Sequence, residues 1–316
     1  MTTPPNSQLA TGDGIVVVDK PGGWTSHQVV GRVRRLLGTR KVGHAGTLDP
    51  MATGVLLVGV NRATRLLGHL AGHDKTYTAT ICLGRTTVTD DAEGEPVSWT
   101  GAAGITEADV RAAIAPLTGV IRQVPSAVSA IKVDGKRAYA RVRAGEEVEL
   151  KAREVTVSRF DVLDVRPDAS FGWVGGVAAN PPLLNVDVVV DCSSGTYIRA
   201  LARDLGAALG TGGHLTALRR TRVGGFDLSL VALDEHGLAA DEPPRLLPLA
   251  EVARRAFPVV EVDADQAREV GYGRSLGLSV PSDPTALVAD GDLLALYRPG
   301  EDGRAHPVAV LAPASC

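Results

Sequence analysis

"KVGHAGTLDPMATGVLLVGV" (residues 41–60) sets a glycine-rich loop with a single carboxylate, Asp49, directly ahead of an apolar run. The run VLLVGV (55–60) carries no polar alternation and reads as a buried strand. Working outward, GIVVVDK (14–20) is a second short apolar run ending in charge, again a strand signal. PGGWTS breaks it, and Thr25 or Ser26 then caps a helix in which Val29, Val33, Leu36 and Leu37 share one face and Gly38 ends the run. NRATRLLGHL (61–70) reads as a short helix. KTYTATICLG (75–84) alternates strictly, with Tyr77, Ala79, Ile81 and Leu83 on one side, so it is a half-buried strand.

Further along, ITEADVRAAIAPLTG is a helix opened by a box-like Thr106/Asp109 cap. SAVSAIKVDGKRAYARVRAGEE reads as a strand, an Asp134-Gly135 turn and a basic helix, with 134–150 the candidate for a flexible flap. EVTVSRFDVLDV and LLNVDVVVDC are strands. SSGTYIRALARDLGAALGTGG is a turn and a helix with Ile198, Leu201, Leu205 and Leu209 inward, and HLTALRRTRVGGF returns as a strand. Strands and helices mix without regular alternation, which predicts an α+β fold with a largely antiparallel sheet. The expected organisation is a tail over 1–12, a main domain over 13–240, a Pro-rich linker over 241–255 and a small β-rich domain over 256–316.

The composition, 44% hydrophobic and 22% charged, is that of a globular chain with a full core. No apolar run approaches the roughly 20 residues of a membrane span. The N-terminus lacks the basic start and apolar stretch of a signal peptide. The three cysteines, Cys82, Cys192 and Cys316, are far apart and form no CxxC pair, which fits reduced thiols and a cytoplasmic location.

The net charge of -3 hides its distribution. Between Lys20 and Arg65 stand eight basic residues and one acid, Asp49, whereas residues 255–316 hold five basic and nine acidic ones. Lys136, Arg137, Arg141 and Arg143 form a second basic cluster, and Arg219, Arg220 and Arg222 a third. Local clusters of this kind suit a polyanionic partner, although any one of them also reads as a solvated face.

Several chemistries fail on spacing. No Lys follows Gly54, so the loop is not a phosphate-cradling P-loop. Gly43, Gly46 and Gly54 do not make the dinucleotide fingerprint. His69 and His73 beside Asp74 lack a third ligand and read as an exposed helix end rather than a metal site. What remains is a lone carboxylate acting as nucleophile or base near a polyanion. A carboxylate in that position needs a cation to stay ionised, and an adjacent guanidinium lowers its pKa by about 1–3 units. CSSGTYIR (192–199) offers Tyr197 and Arg199 at the start of a helix; spacing alone does not pair Arg199 with Asp49.

The stretches DKPGGWTSHQVVGRVRR, KVGHAGTLDPMATGVLLVGVNRATRLLGHL, KTYTATICLG, VPSAVSAIKVDGKRAYARVRAGEEVE and CSSGTYIRALARDLGAALGTGGHLTALRRTRVGGF occur in the order typical of bacterial tRNA pseudouridine-55 synthases. The chain thus resembles the TruB family from residue 14 to about 226, and G-H-x-G-T-L-D-P is its most specific element. The resemblance implies the pseudouridine-synthase fold with a mixed, mainly antiparallel sheet and a PUA-like C-terminal domain. It implies an isomerase that converts uridine 55 of the tRNA T-loop to pseudouridine, exchanging the N1–C1′ bond for C5–C1′ and using no cofactor and no metal.

By the same resemblance Asp49 is the catalytic aspartate, Tyr77 stacks on the target base and is a candidate proton acceptor, and Arg199 pairs with the aspartate. Lys20 is the lysine beside the tyrosine, His44 inserts into the T-loop, and Tyr197 and Leu218 line the uridine pocket. The implied partner is the tRNA T-stem-loop, bound by a monomer that needs no protein partner and no membrane. His27, in the first helix, reads as structural. Two features depart from the family pattern: Ser194 stands where a Lys is common, and the C-terminal segment is acidic, which puts its grip on RNA in doubt. The rival readings are a guide-dependent synthase, a non-catalytic RNA-binding or RNA-folding module, and a nucleoside hydrolase.

Overall fold

A computed structural model describes residues 12–126, 151–168 and 181–312, with the backbone of the short strands at 132–133, 136–137, 173–174 and 177–178. Residues 1–11 of the expected tail over 1–12, the flap candidate within 134–150 with the side chains of its basic cluster, and Cys316 lie outside the described residues. The chain divides into two compact units, residues 1–73 with 222–316, and residues 74–221.

The first unit begins with β1 (Gly14–Lys20), α1 (Ser26–Leu37), β2 (Val42–Ala45) and β3 (Thr53–Val60), followed by a 3-10 turn and α2 (Leu67–Ala71). Both ends of α1 follow from the sequence. Thr25 caps it in a reciprocal box with Gln28, and Gly38 closes it in the left-handed conformation at φ 61°. β1 and β2 both run antiparallel to β3; Gly14 faces Val60 and Lys20 faces Gly54. That register sets the last residue of β1 beside the end of the Asp49 loop.

The second unit holds β4 (Lys75–Leu83), β5 (Arg85–Thr87), β6 (Pro96–Trp99), α3 (Glu107–Ile114), β7 (Gly119–Gln123), β8 (Arg153–Pro167), β9 (Leu184–Cys192), α4 (Ile198–Ala208) and β10 (Gly213–Val223). The sheet order is β10-β4-β9-β8-β7, and β4–β9, β9–β8 and β8–β7 are antiparallel. On β4 the residues Lys75, Tyr77, Ala79, Ile81 and Leu83 are buried and the intervening threonines half-buried, which is the alternation predicted for this strand. The Thr106/Asp109 box caps α3 as expected.

The chain returns to the first unit through β11 (Leu247–Pro248), α5 (Leu249–Ala256), β12 (Val259–Glu261), α6 (Ala264–Gly271), β13 (Thr285–Ala289), β14 (Asp292–Pro299) and β15 (Ala305–Val310). β12 is parallel to β13 and the other pairs are antiparallel, a small mixed sheet. The segment expected as a linker, 241–255, is largely taken up by β11 and α5. Leu249, Val252 and Ala253 recur at helical spacing and are buried, so the prolines ahead of them mark a helix start rather than an open connection. In β13, Ala286 and Val288 join one core cluster with Ile15, Val17 and Leu57, while Leu287 packs on the other face with Val270 and Tyr297. The C-terminal sheet therefore shares a core with β1 and β3.

Candidate active site

Asp49 is half-buried, and the residues on either side of it are anchored. Before it, the Ser26 hydroxyl donates to the Leu48 carbonyl at 3.2 Å and accepts from the Leu48 amide at 3.0 Å. Ser26 is the first residue of α1 and almost wholly buried, so the loop is pinned to the helix start. After it, the Lys20 ammonium donates to the carbonyls of Pro21 at 2.9 Å, Trp24 at 2.6 Å and Pro50 at 3.1 Å. The Pro50 carbonyl also accepts from the Gly23 amide at 2.8 Å. Pro50 fixes its own φ and steers Asp49 away from helical backbone. Gly46 and Gly54, at φ 82° and 101°, make the turns into and out of the loop. The carboxylate is thus carried on backbone held from both sides.

Lys20 is fully buried, and an ammonium has three protons, each here within reach of a carbonyl. These bonds make it a brace under the Asp49 loop. Lys20→Met should lower stability by about 2 kcal/mol, because charge-assisted hydrogen bonds worth about 1.5–3 kcal/mol each are lost while the desolvation of the ammonium is relieved. A thermal melt matching wild type would refute this bracing role.

His44 lies on β2, and its ring meets that of His27 edge-on, with centroids 5.5 Å apart. His27 is exposed in the first turn of α1, so it is a surface partner of His44 rather than a core histidine. Most of the cations between Lys20 and Arg65 are tied to this unit's own backbone. Arg32 donates to the carbonyls of Leu238 at 2.7 Å and Ala240 at 2.5 Å and pairs with Asp241. Arg34 holds the Val42 carbonyl, Arg62 holds Asp13 and the Leu311 carbonyl, and Arg65 holds the Val310 carbonyl. Arg34, Arg35, Arg40, Lys41, Arg62 and Arg65 are nevertheless exposed, whereas Lys20 is buried and Arg32 half-buried. In the third basic cluster Arg220 is buried and Arg219 and Arg222 are half-buried.

The other expected site residues belong to the second unit. Tyr77 is buried on β4, opposite Val190 of β9. Lys75 shares its face, and burial, then the Arg220 charge, lowers its pKa to about 8. Leu218 is buried on β10. Tyr197 is the N-cap residue of α4; the buried Gln123 side chain accepts from its amide at 2.8 Å and donates to its carbonyl at 3.0 Å, which fixes the helix start. Arg199 follows in the first turn and is buried. Its Nη1 donates to the Thr89 carbonyl at 3.0 Å and faces Asp91 Oδ2 at 3.3 Å, a pair whose side chains are only 7% and 3% exposed.

Asp91, Gln123 and Ser26 hold these candidate residues or their backbone, contacts that the sequence reading did not give. The TVTDDAEG stretch reads as a plain acidic loop, and nothing in its spacing points to an arginine more than a hundred residues away. Neighbouring Asp90 adopts φ 58° and faces Arg203 at 3.5 Å, and burial raises its carboxyl pKa. His69 and His73 pack on Phe257, at 6.3 and 5.9 Å between ring centroids, rather than forming an exposed helix end. Among the described residues no group of three or more His, Cys, Asp or Glu is placed to hold a metal ion, and no helix is long and apolar enough to cross a membrane.

Residues 34–198 match the model of the TruB family pseudouridylate synthase N-terminal domain. The chain belongs to the TruB family. Residues 199–240 match the C-terminal domain of tRNA pseudouridylate synthase B, and 257–312 the C-terminal domain of tRNA pseudouridine synthase II. This TruB-family chain is 58% identical to the tRNA pseudouridine synthase B of Cutibacterium acnes, over 94% of its own length and 98% of that protein. It is 57% identical to the protein of the same name from Thermobifida fusca, over 95% and 99%. It is therefore a pseudouridine synthase, an isomerase. Two solved structures share the fold at 23% identity. A Cbf5-Nop10-Gar1 complex gives a TM-score of 0.68, with 97% of this chain and 86% of that one aligned. An archaeal box H/ACA sRNP Nop10-Cbf5 complex gives 0.65, with 97% and 88% aligned.

Proposed function

We propose that the chain isomerises uridine 55 in the T-loop of tRNA to pseudouridine, with Asp49 as the nucleophile that starts detachment of uracil from its ribose. The observation that carries this reading is the placement of Asp49: a single carboxylate in the G-H-x-G-T-L-D-P motif, on a loop held by Ser26 on one side and Lys20 on the other. The names borne by relatives of more than 55% identity over nearly their whole length support tRNA as the substrate.

Reaching a base inside a folded loop requires flipping it out, at a few kcal/mol that stacking partners offset. Tyr77 is assigned to stack on the flipped uracil and to take its C5 proton, and His44 to fill the stack the base leaves. Tyr197 and Leu218 line the pocket, and Arg199 is assigned to pair with Asp49. The reaction breaks N1–C1′, turns the base, forms C5–C1′, releases the C5 proton and leaves N1 protonated. Attack at ribose C1′, attack at C6 and a glycal route all satisfy this balance. The enzyme acts as a monomer without guide RNA, in the cytoplasm, and Arg35, Arg40 and Lys41 are among the exposed cations of the first basic stretch that can meet phosphates.

The test is release of tritium from unmodified tRNA labelled at uracil C5, with no added RNA or metal, followed by mapping of the modified position. Release with pseudouridine at position 55, abolished by changing uridine 55 to cytidine, is the expected result. Tritium released from another position would overturn the site assignment, and a requirement for an added guide RNA would turn the reading to a guide-dependent synthase.

A further inference from the structure

The loop Thr87–Gly94 is built around the Asp91 carboxylate. Its Oδ1 accepts from the Thr89 hydroxyl at 2.5 Å and from the Glu93 amide at 3.1 Å, and its Oδ2 faces Arg199. The Asp91 carbonyl accepts from the Thr87 hydroxyl at 2.7 Å, and the Asp90 carbonyl from the Leu215 amide at 3.0 Å, which ties the loop to β10. Thr89 enters twice: its hydroxyl holds the carboxylate, and its carbonyl accepts from the same Arg199 nitrogen that faces the carboxylate. A Cβ on Gly94 would stand 2.3 Å from the Thr89 hydroxyl and 2.7 Å from its amide nitrogen, so the glycine keeps that hydroxyl in place.

A single arginine–carboxylate contact leaves both groups free to swing about it. With the carboxylate tethered on Oδ1 and the guanidinium held by the tethering residue's own carbonyl, neither turns without breaking a hydrogen bond. A side chain that must present a charge to a reacting base gains most from such a fixed neighbour. Thr89 itself is half-exposed, so its hydroxyl contributes little to the core.

We propose that Thr89 is a positioning residue for Arg199, acting through Asp91 and through its own carbonyl. The proposal rests on the reading of Arg199 as an active-site group. It is tested with Thr89→Val, which keeps the shape and removes the hydroxyl, and Thr89→Ser, which keeps the hydroxyl. Both are assayed by tritium release from C5-labelled tRNA and by thermal melting, beside Arg199→Lys. Thr89→Val should lower kcat about tenfold, the scale of one hydrogen bond to a charged group, with KM within about twofold of wild type. Thr89→Ser should restore kcat to within about twofold, and all melts should stay within a few degrees.

Wild-type kcat in Thr89→Val, or a Thr89→Ser as impaired as Thr89→Val, would overturn the proposal. Should Thr89→Val not fold, Thr89→Ala takes its place with the same expectations. Full turnover by Arg199→Lys would remove the underlying reading. An inactive Arg199→Lys beside a fully active Thr89→Val would remove this inference alone.

Discussion

Asp49→Asn is expected to abolish tritium release from C5-labelled tRNA while tRNA binding and the melting temperature stay near wild type. The substitution keeps the size and planarity of the side chain and removes the negative charge and the nucleophilic oxygen. It leaves the loop's anchors alone, because these are the Leu48 amide and carbonyl held by Ser26 and the Pro50 carbonyl held by Lys20 and Gly23. Removing a nucleophile costs at least about a thousandfold in turnover where it acts with other groups as one unit. Turnover is therefore expected below detection, with filter-binding affinity for tRNA changed by less than about threefold, since base-independent phosphate contacts supply most of the affinity. Retained turnover would sink the nucleophile assignment. Loss of binding together with turnover would make Asp49 a structural residue, and unchanged binding with no turnover in wild type itself would favour a non-catalytic module.

What the sequence made legible was local. The first helix could be bounded at both ends because Thr25, Gln28 and Gly38 satisfy the helix's terminal backbone groups through neighbours in the chain. The face of β4 that carries Tyr77 followed from alternation, and Asp49 stood out because the loop around it was otherwise uncharged. The contacts that were not legible join residues far apart in sequence. Lys20 reads as the charged end of a strand, and its three carbonyl partners beneath the Asp49 loop show only in the fold, where the β1–β3 register sets it opposite Gly54. Arg32 reads as the wet face of a helix, yet it spends its guanidinium on carbonyls some two hundred residues away. A separation of more than a hundred residues likewise hides Asp91 from Arg199. Charge composition therefore does not show which cations also hold the chain to itself.

Asp91→Asn is expected to lower kcat about a hundredfold, more than any change at Thr89, and to lower stability as well. Asparagine keeps an oxygen for the Thr89 hydroxyl and the Glu93 amide but removes the countercharge of a buried guanidinium. Breaking a buried ion pair by neutralising one partner costs about 3–5 kcal/mol. Arg199 retains the Thr89 carbonyl, so the helix start, held independently by Gln123, is expected to survive. The loss should then divide between a lower melting temperature and a lower kcat, with KM for tRNA little changed. The double variant Thr89→Val/Asp91→Asn decides whether the two act as one device. If the hydroxyl works by orienting the carboxylate, removing it after the charge is gone adds almost nothing, and the double variant matches Asp91→Asn to within the roughly 0.5 kcal/mol expected of additive scatter. A double variant whose loss equals the product of the two single losses would show that the Thr89 hydroxyl does not act through the Asp91 carboxylate.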